Sequence, residues 1–400
     1  MNKQHLSTSQ YAQKHGISRM HVTRLISAGK IKAKKVGRAW MIEDNAGSIN
    51  QINFEKTTSL QKWGKLIEAK FDKKLKIEAS KDREVLYARL YNLGLPHERH
   101  IAFQFGKFPS KKEFEIAVGR IGKPYWISAV PNLKARHLDR QSKLRLYDIN
   151  TGYRFLSKLP EKENYKIIVC QYPDKPEFKG TVLVSESGNG IAEFITGDRH
   201  YIMTRGFTLT DPFLFNQQGV IRFSKTISKT MQKRLYELVR GIHGHLEVQY
   251  GIVEGNKELN FFDYNDEEAY IEIDELWNDL KRFFKKAKRK TKKEVVGLPA
   301  SLGVAEGKCT VVSHENPGIY DSMEKGNILV SDTTTPEMTP LMAKASAIVT
   351  DLGGVTSHAA IVCRELGIPA IVGTRNATEV IQTGDRVKVD AHKGVVQLLD

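Results

Sequence analysis

The run Gly353-Gly354-Val355-Thr356-Ser357-His358-Ala359-Ala360 constrains this chain more than any other stretch. It follows Ala347-Ile348-Val349-Thr350-Asp351, an apolar run of buried-strand length. It precedes Ile361-Val362-Cys363-Arg364-Glu365-Leu366-Gly367, whose glycine reads as a helix stop. Two glycines therefore leave a strand, Thr356 stands where an N-cap is expected, and His358 falls in the first turn of a helix. The N–H groups and positive dipole end of that helix favour an anion by roughly 0.3–2 kcal/mol. The same field disfavours imidazolium, so His358 is expected to be neutral and nucleophilic. Gly353 and Gly354 leave room for an in-line phosphoryl donor, and Thr356 and Ser357 can donate to its oxygens.

Around this run, residues 309–312 and 326–331 read as strands, and Thr333-Thr334-Thr335-Pro336-Glu337 as a helix start. Residues 298–400 resemble the swivelling phosphohistidine domain of the phosphoenolpyruvate-utilising enzymes, which include phosphoenolpyruvate synthase, pyruvate phosphate dikinase and rifampicin phosphotransferase. The resemblance rests on Gly-Gly-x-Thr-Ser-His-Ala-Ala at 353–360 and implies that His358 is the phosphorylated histidine. Cys363 stands where alanine is common in that family. The sequence stops at Asp400, so the pyruvate-binding TIM barrel of the synthases and dikinase is expected to be missing. That expectation points away from phosphoenolpyruvate synthesis by this chain alone and toward the antibiotic phosphotransferases.

Residues 81–274 read as an α+β unit. Gly94-Leu95-Pro96 ends a first helix, Ser110 and Gly122-Lys123-Pro124 bracket a second, and a strand at 125–130 follows. Further strands are expected at 166–171, 180–185, 191–195, 245–250 and 258–264, with a helix near 228–241. This order resembles an ATP-grasp domain, and the resemblance implies an ATP site with Gln171, Tyr172 and Glu193 on the nucleotide. It also implies a magnesium site of Glu247, Asp263 and Asn265, because Asp263-Tyr264-Asn265 is similar to the family's acidic-x-Asn signature. Magnesium takes hard oxygen ligands and keeps waters and nucleotide phosphates, which suits such a set. Two departures stand out. Ile127 and Ser128 occupy the strand where the family carries a phosphate-neutralising Lys or Arg, and the glycine-rich lid shrinks to Gly188-Asn189-Gly190.

The formal net charge of +16 is local. Residues 1–42 hold nine Lys and Arg without one acid, residues 281–293 hold nine more, and elsewhere 44 bases meet 46 acids. Such patches suit phosphate contacts. Near the amino end Gly16 breaks a first helix and Ser18 caps a second, with Val22, Leu25 and Ile26 inside. Residues 31–42 then alternate like a small β-wing. The segment resembles an excisionase/MerR-type winged helix–turn–helix, which implies double-stranded DNA as a partner and a possible homodimer. Arg19, His21, Thr23 and Arg24 would face bases, and Lys34, Lys35 and Arg38 phosphates. Leu276, Trp277, Leu280 and Phe283 recur at helical spacing among the basic residues of 281–289, giving an amphipathic helix. It reads as an intermodule helix with a solvated face, or as a second nucleic-acid contact.

No apolar run reaches the roughly 18–20 residues that span a bilayer, the amino end is polar, and the three cysteines lie far apart. The expectation is a cytoplasmic, non-membrane, multidomain chain of α/β and α+β class. Its parts are a winged helix–turn–helix at 1–44, a connector at 45–80, an ATP-grasp-like domain at 81–274, a basic helix and linker at 275–297, and a swivelling β/β/α phosphohistidine domain at 298–400. The expected function is ATP- and Mg2+-dependent phosphotransfer, relayed through His358 to an unidentified acceptor. The alternative is a DNA-binding regulator whose kinase-like half senses nucleotide or phosphoenolpyruvate without turnover.

Overall fold

The structure, a computed structural model, describes residues 5–7, 33–36, 39–43 and 83–399, apart from 133–134, 136, 139, 267–272, 286–293 and 315–322. Near the amino end, β1 (His5–Ser7), β2 (Ala33–Val36) and β3 (Ala39–Glu43) form an antiparallel sheet in the order β1-β3-β2. The β2–β3 hairpin falls where the alternating pattern suggested a wing, with Lys34 exposed and Lys35 opposite Trp40. Arg19, His21, Thr23, Arg24 and Arg38 lie outside the described residues, as does the expected helix pair.

The middle of the chain builds two antiparallel sheets. Helix α1 (Arg83–Asn92), β4 (His100–Phe103), α2 (Lys111–Ile121), β5 (Tyr125–Pro131), β6 (Gln141–Leu146), α3 (Ile149–Ser157) and β7 (Tyr165–Gln171) give a four-stranded sheet in the order β4-β7-β5-β6. Ser110 and Glu113 form a reciprocal capping box that fixes the start of α2. Next come β8 (Asp174–Val184), β9 (Gly190–Thr196), α4 (His200–Thr204), β10 (Phe213–Asn216), β11 (Gly219–Arg222), α5 (Lys229–Val239), β12 (Gly244–Val253) and β13 (Asn256–Asn265). Their six strands order as β11-β10-β9-β8-β12-β13. The β12–β13 hairpin is longer than its apolar stretches suggested. Glu254 and Gly255, at φ of 48° and 84°, close it as a two-residue turn. Gly188-Asn189-Gly190, read as a thin lid, is instead part of the tight β8–β9 turn. There Ser185, Ser187 and Asn189 all donate to Asp274.

Helix α6 (Ile273–Lys285) buries Ile273, Leu276, Trp277, Leu280 and Phe283. Its first basic residues serve the helix itself, since Lys281 lies 4.3 Å from the Trp277 ring centre and Arg282 pairs with Asp279 at 3.1 Å. The rest of the chain is one eight-stranded sheet, in the order β14-β21-β20-β16-β17-β18-β19-β15. It comprises β14 (Glu294–Val296), β15 (Leu298–Ser301), β16 (Val304–Val312), β17 (Ile328–Ser331), β18 (Ala347–Thr350), β19 (Ala370–Val372), β20 (Arg386–Asp390) and β21 (Val395–Leu399). Strands β16 to β19 run parallel. Both faces are covered, which is why these strands read as unbroken apolar text. Leu329 and Ile348 enter a core with Ala359 and Ala360, whereas Ile328, Val330, Ala347 and Val349 enter another. The first core also takes in Leu183, Ile191 and Leu214 of the six-stranded sheet, so that sheet, α6 and the parallel strands share one apolar body. Between β17 and β18 the expected helix at 333–337 starts later, as a 3-10 turn at Pro336–Met338 and the short α7 (Thr339–Met342). No helix among the described residues is long and apolar enough to cross a membrane.

Candidate active site

Strand β18 delivers the chain into Asp351-Leu352-Gly353-Gly354, after which α8 (His358–Leu366) begins at the histidine itself. The N-cap is Ser357, not Thr356: its hydroxyl accepts from the Ala360 N–H at 3.5 Å. Gly367, at φ 65°, ends the helix as its text implied. His358 is 7% exposed, and its Nδ1 lies 3.0 Å from Thr334 Oγ1, in the loop after β17. Its Nε2 is shielded from solvent. In one neutral tautomer Nδ1 carries the proton and donates to Thr334 Oγ1, which leaves the lone pair on Nε2; in the other the hydroxyl donates to Nδ1. Behind the loop, Arg364 donates to the carbonyls of Val355 and Ala300, both at 2.9 Å, while the N–H groups of 355 and 356 turn to another partner. Burial pushes the Asp351 carboxyl up to about 6, although Thr378 and Thr374 both donate to it.

Those N–H groups meet Glu193 of β9. This wholly buried carboxylate accepts from Val355 N at 3.0 Å, Thr356 N at 2.9 Å, Thr356 Oγ1 at 2.6 Å and Thr210 Oγ1 at 2.5 Å. The two glycines serve this contact. A Cβ on Gly354 would sit 1.9 Å from Thr210 Oγ1 and 2.3 Å from Glu193 Oε1, so only glycine fits. Gly353, at φ 98°, donates to the Thr208 carbonyl at 2.9 Å. The space directly beside these two glycines, expected to admit a phosphoryl donor, is thus taken by Thr208, Thr210 and Glu193. Thr333 adds a bond to the Gly206 carbonyl at 2.9 Å, and Phe207 packs edge-on to His314 at 5.3 Å. Segment 206–210 therefore lies along the face that carries His358. Glu193, expected on the nucleotide, spends both oxygens on the histidine loop and Thr210.

Glu193 is also one end of a row. It stands opposite Thr181 of β8, Thr181 opposite Glu247 of β12, and Glu247 opposite Asp263 of β13. Residues directly opposite share a face. Asn265, two residues beyond Asp263, joins that face and pairs with His245. Among the described residues no group of three or more His, Cys, Asp or Glu could by itself hold a metal ion. Two half-buried carboxylates with one amide do fit a magnesium ion that takes its other ligands from phosphates and water. Around this row lie groups that sequence reasoning did not single out. His200 approaches Thr181 Oγ1 at 3.1 Å, and burial, with Lys179 nearby, holds it down at about 3, hence neutral. Lys179 reaches Asp198 at 2.9 Å and the Tyr172 hydroxyl at 3.2 Å. Tyr172 in turn donates to Asp198 at 2.5 Å, and burial and that bond raise its pKa. Gln171, at the end of β7, turns its amide oxygen to the Arg99 guanidinium at 2.6 Å. Ser128, which stands where a basic residue was expected, receives a hydrogen bond from Arg140 Nε at 3.1 Å. A guanidinium from the neighbouring loop thus reaches the position.

Comparison with known proteins separates the two halves. Residues 323–394 match the family model of the PEP-utilising enzyme mobile domain. Over 102 residues the chain is 55% identical to a probable phosphoenolpyruvate synthase of Staphylothermus marinus and 53% identical to the phosphoenolpyruvate synthase of Aeropyrum pernix. Each match takes in 26% of this chain and 12% of the relative, so the shared stretch is about an eighth of those proteins. Among solved structures, an N5-carboxyaminoimidazole ribonucleotide synthetase in its ADP complex aligns over 47% of this chain and 45% of its own. Its identity is 11% and its TM-score 0.27, a likeness too slight to establish a fold.

Proposed function

From a chain that carries a phosphoenolpyruvate-utilising mobile domain at 323–394, we propose an ATP-dependent phosphotransferase in which His358 takes up a phosphoryl group and relays it. One observation carries the reading: the loop before His358 is held by Glu193, the first member of the row that ends in Glu247 and Asp263. At a strand spacing of about 4.8 Å, Glu247 lies about 10 Å and Asp263 about 14 Å from Glu193 along the sheet. That span accommodates a polyphosphate between the acidic pair and the histidine.

Each residue then has a task. Glu247, Asp263 and Asn265 hold the magnesium that neutralises phosphate charge, and Arg140 stands in for the basic residue absent at Ile127 and Ser128. Tyr172, Lys179 and Asp198 form the floor beside the nucleotide. Thr334 keeps the Nδ1 proton, so Nε2 presents its lone pair to phosphorus. A P–N bond forms there as the bridging P–O bond breaks, and the electron pair leaves with the nucleotide-side oxygen. Gly353, Gly354, Thr356 and Ser357 shape and cap the turn that holds the imidazole. The phosphoramidate keeps its transfer potential, so the acceptor reacts at a second place once the domain has moved. The amino-terminal segment adds a double-stranded DNA contact on this reading, supported by nine bases without an acid in residues 1–42 and by the exposed Lys34 of β2.

Incubation with ATP labelled at the β- or the γ-phosphate tests the proposal. We expect acid-labile, base-stable label on His358 and none in His358→Ala. Persistence of the label in that variant would exclude His358 as the site. A wild type that neither binds nor turns over ATP would leave the regulator reading in its place.

A further inference from the structure

The loop N–H groups that could receive a phosphoryl group are already filled by an anion from the protein itself. Val355 N, Thr356 N and Thr356 Oγ1 all donate to Glu193, and both carboxylate oxygens are used. Thr356 is two residues from His358. We propose that Glu193 is a positioning latch that docks the histidine loop on the six-stranded half, and that phosphorylation of His358 opens it. This rests on His358 being the phosphorylated residue, as proposed above.

The physical basis is competition and repulsion between anions. A phosphoryl group on the imidazole brings nearly two negative charges and three strong acceptor oxygens. It seeks backbone N–H and hydroxyl donors, and those that Glu193 occupies lie in the loop just before the N-cap Ser357. Both anions lie in a water-poor interface, where like charges repel far more than in solvent. Glu193 is wholly buried, and Thr210 Oγ1, which donates to it from outside the loop, is a neutral hydroxyl. Among the described residues the interface also includes the carbonyls of Gly206 and Thr208, which accept from Thr333 and Gly353, the Phe207 ring against His314, and the apolar body that Leu183, Ile191 and Leu214 share with the parallel strands. Loss of the latch therefore removes the carboxylate's hold on the loop itself, while these neutral hydrogen bonds and apolar contacts remain between the two halves. The empty histidine closes the latch and the loaded histidine opens it, which gives the swivel a direction. Glutamine cannot replace Glu193: its amide would turn an N–H toward one of two backbone N–H donors.

Hydrogen exchange on the full chain tests this without ATP. In the unphosphorylated wild type, peptides covering 206–210 and 353–357 should be protected. In Glu193→Ala and Glu193→Gln their exchange should rise at least tenfold, while peptides in α2 and β20–β21 stay unchanged as the control for folding. The milder Thr356→Val should give a smaller rise in the same peptides. Phosphoramidate, a small donor that phosphorylates histidine by losing ammonia, then supplies the phosphoryl group without nucleotide. Wild type that carries phosphate on His358 should exchange like Glu193→Ala, and treated His358→Ala should not change. Because Nε2 is shielded in the docked state, Glu193→Ala should also label faster with phosphoramidate than wild type. Protection retained in Glu193→Ala, or in wild type with phosphate confirmed on His358, overturns the latch. Label from phosphoramidate with release, but none from ATP, keeps the latch and removes the ATP reading.

Discussion

Replacing Thr334 by valine tests how His358 is prepared for attack. Valine keeps the shape of threonine and removes only the hydroxyl, so the ring keeps its packing while Nδ1 loses the partner at 3.0 Å. The imidazole is 7% exposed, and water has little access to replace that partner. A buried donor left without an acceptor costs about 1–3 kcal/mol. The tautomer that carries its proton on Nδ1 is destabilised by that amount, and it is the only neutral form with a lone pair on Nε2. At about 1.36 kcal/mol per tenfold in rate, phosphorylation should slow by about 5- to 150-fold. The assay is single-turnover label uptake, with ATP or phosphoramidate as donor, and hydrogen exchange alongside to show that the loop is still docked. Thr334→Ser should recover most of the rate, because it restores the oxygen. A Thr334→Val rate within twofold of wild type, with label still on His358, would refute the assigned tautomer.

Three further outcomes are expected. Asp263→Ala should weaken Mg–ATP binding in calorimetry by at least about tenfold, or ~1.4 kcal/mol, and stop labelling from ATP while phosphoramidate still labels His358. Burial holds the Asp351 carboxyl at about 6, above about 3.9 when unfolded, so the folded state binds the extra proton between these pH values. Stability from this group is therefore greatest below about pH 4, falls as pH rises to about 6 and is level above, and Asp351→Asn should erase that slope, about 3 kcal/mol in denaturant titrations. Removal of residues 1–43 should lower duplex affinity at least about tenfold, ~1.4 kcal/mol, and substitution of Lys34 and Lys35 should flatten the salt dependence by a slope of roughly 0.9 per lost phosphate contact. Equal anisotropy titrations for the whole and shortened chains would end the DNA assignment.

What was legible in the sequence was local. The strand, glycines, histidine and helix stop at 347–367 are contiguous, so their order showed in the text, whereas the close approach that Gly353 and Gly354 serve did not. The parallel strands showed as apolar runs because both of their faces are covered. The N-cap was misplaced by one residue because Thr356 and Ser357 are both good caps, and the tie is broken by Glu193, 163 residues away. No local pattern carries such a contact. The same holds for Thr334 and for segment 206–210, whose role is fixed only by what it lies against. Strand β20 is different: Arg386-Val387-Lys388-Val389-Asp390 alternates plainly, exposed and buried in turn, so its signal was present in the text and passed over.

The docked arrangement also limits what the acceptor can be. Nε2 is shielded while Glu193 holds the loop, so no bulky acceptor reaches it in this state. On the proposed reading, exclusion of water there guards the nucleotide until transfer is made, and it equally prevents onward transfer while the loop is docked. On the proposed reading the two half-reactions must therefore occur in different positions of the mobile domain, and the first must finish before the second begins. Kinetics should then be ping-pong, with nucleotide product released without acceptor present. A latch that opens only when His358 is loaded serves this order, because an empty domain that wandered would leave the nucleotide site open to water. The acidic row and the histidine loop are consequently one device. On that reading, Glu247 and Asp263 hold the donor at one end, and at the other Glu193 admits the histidine and lets it go.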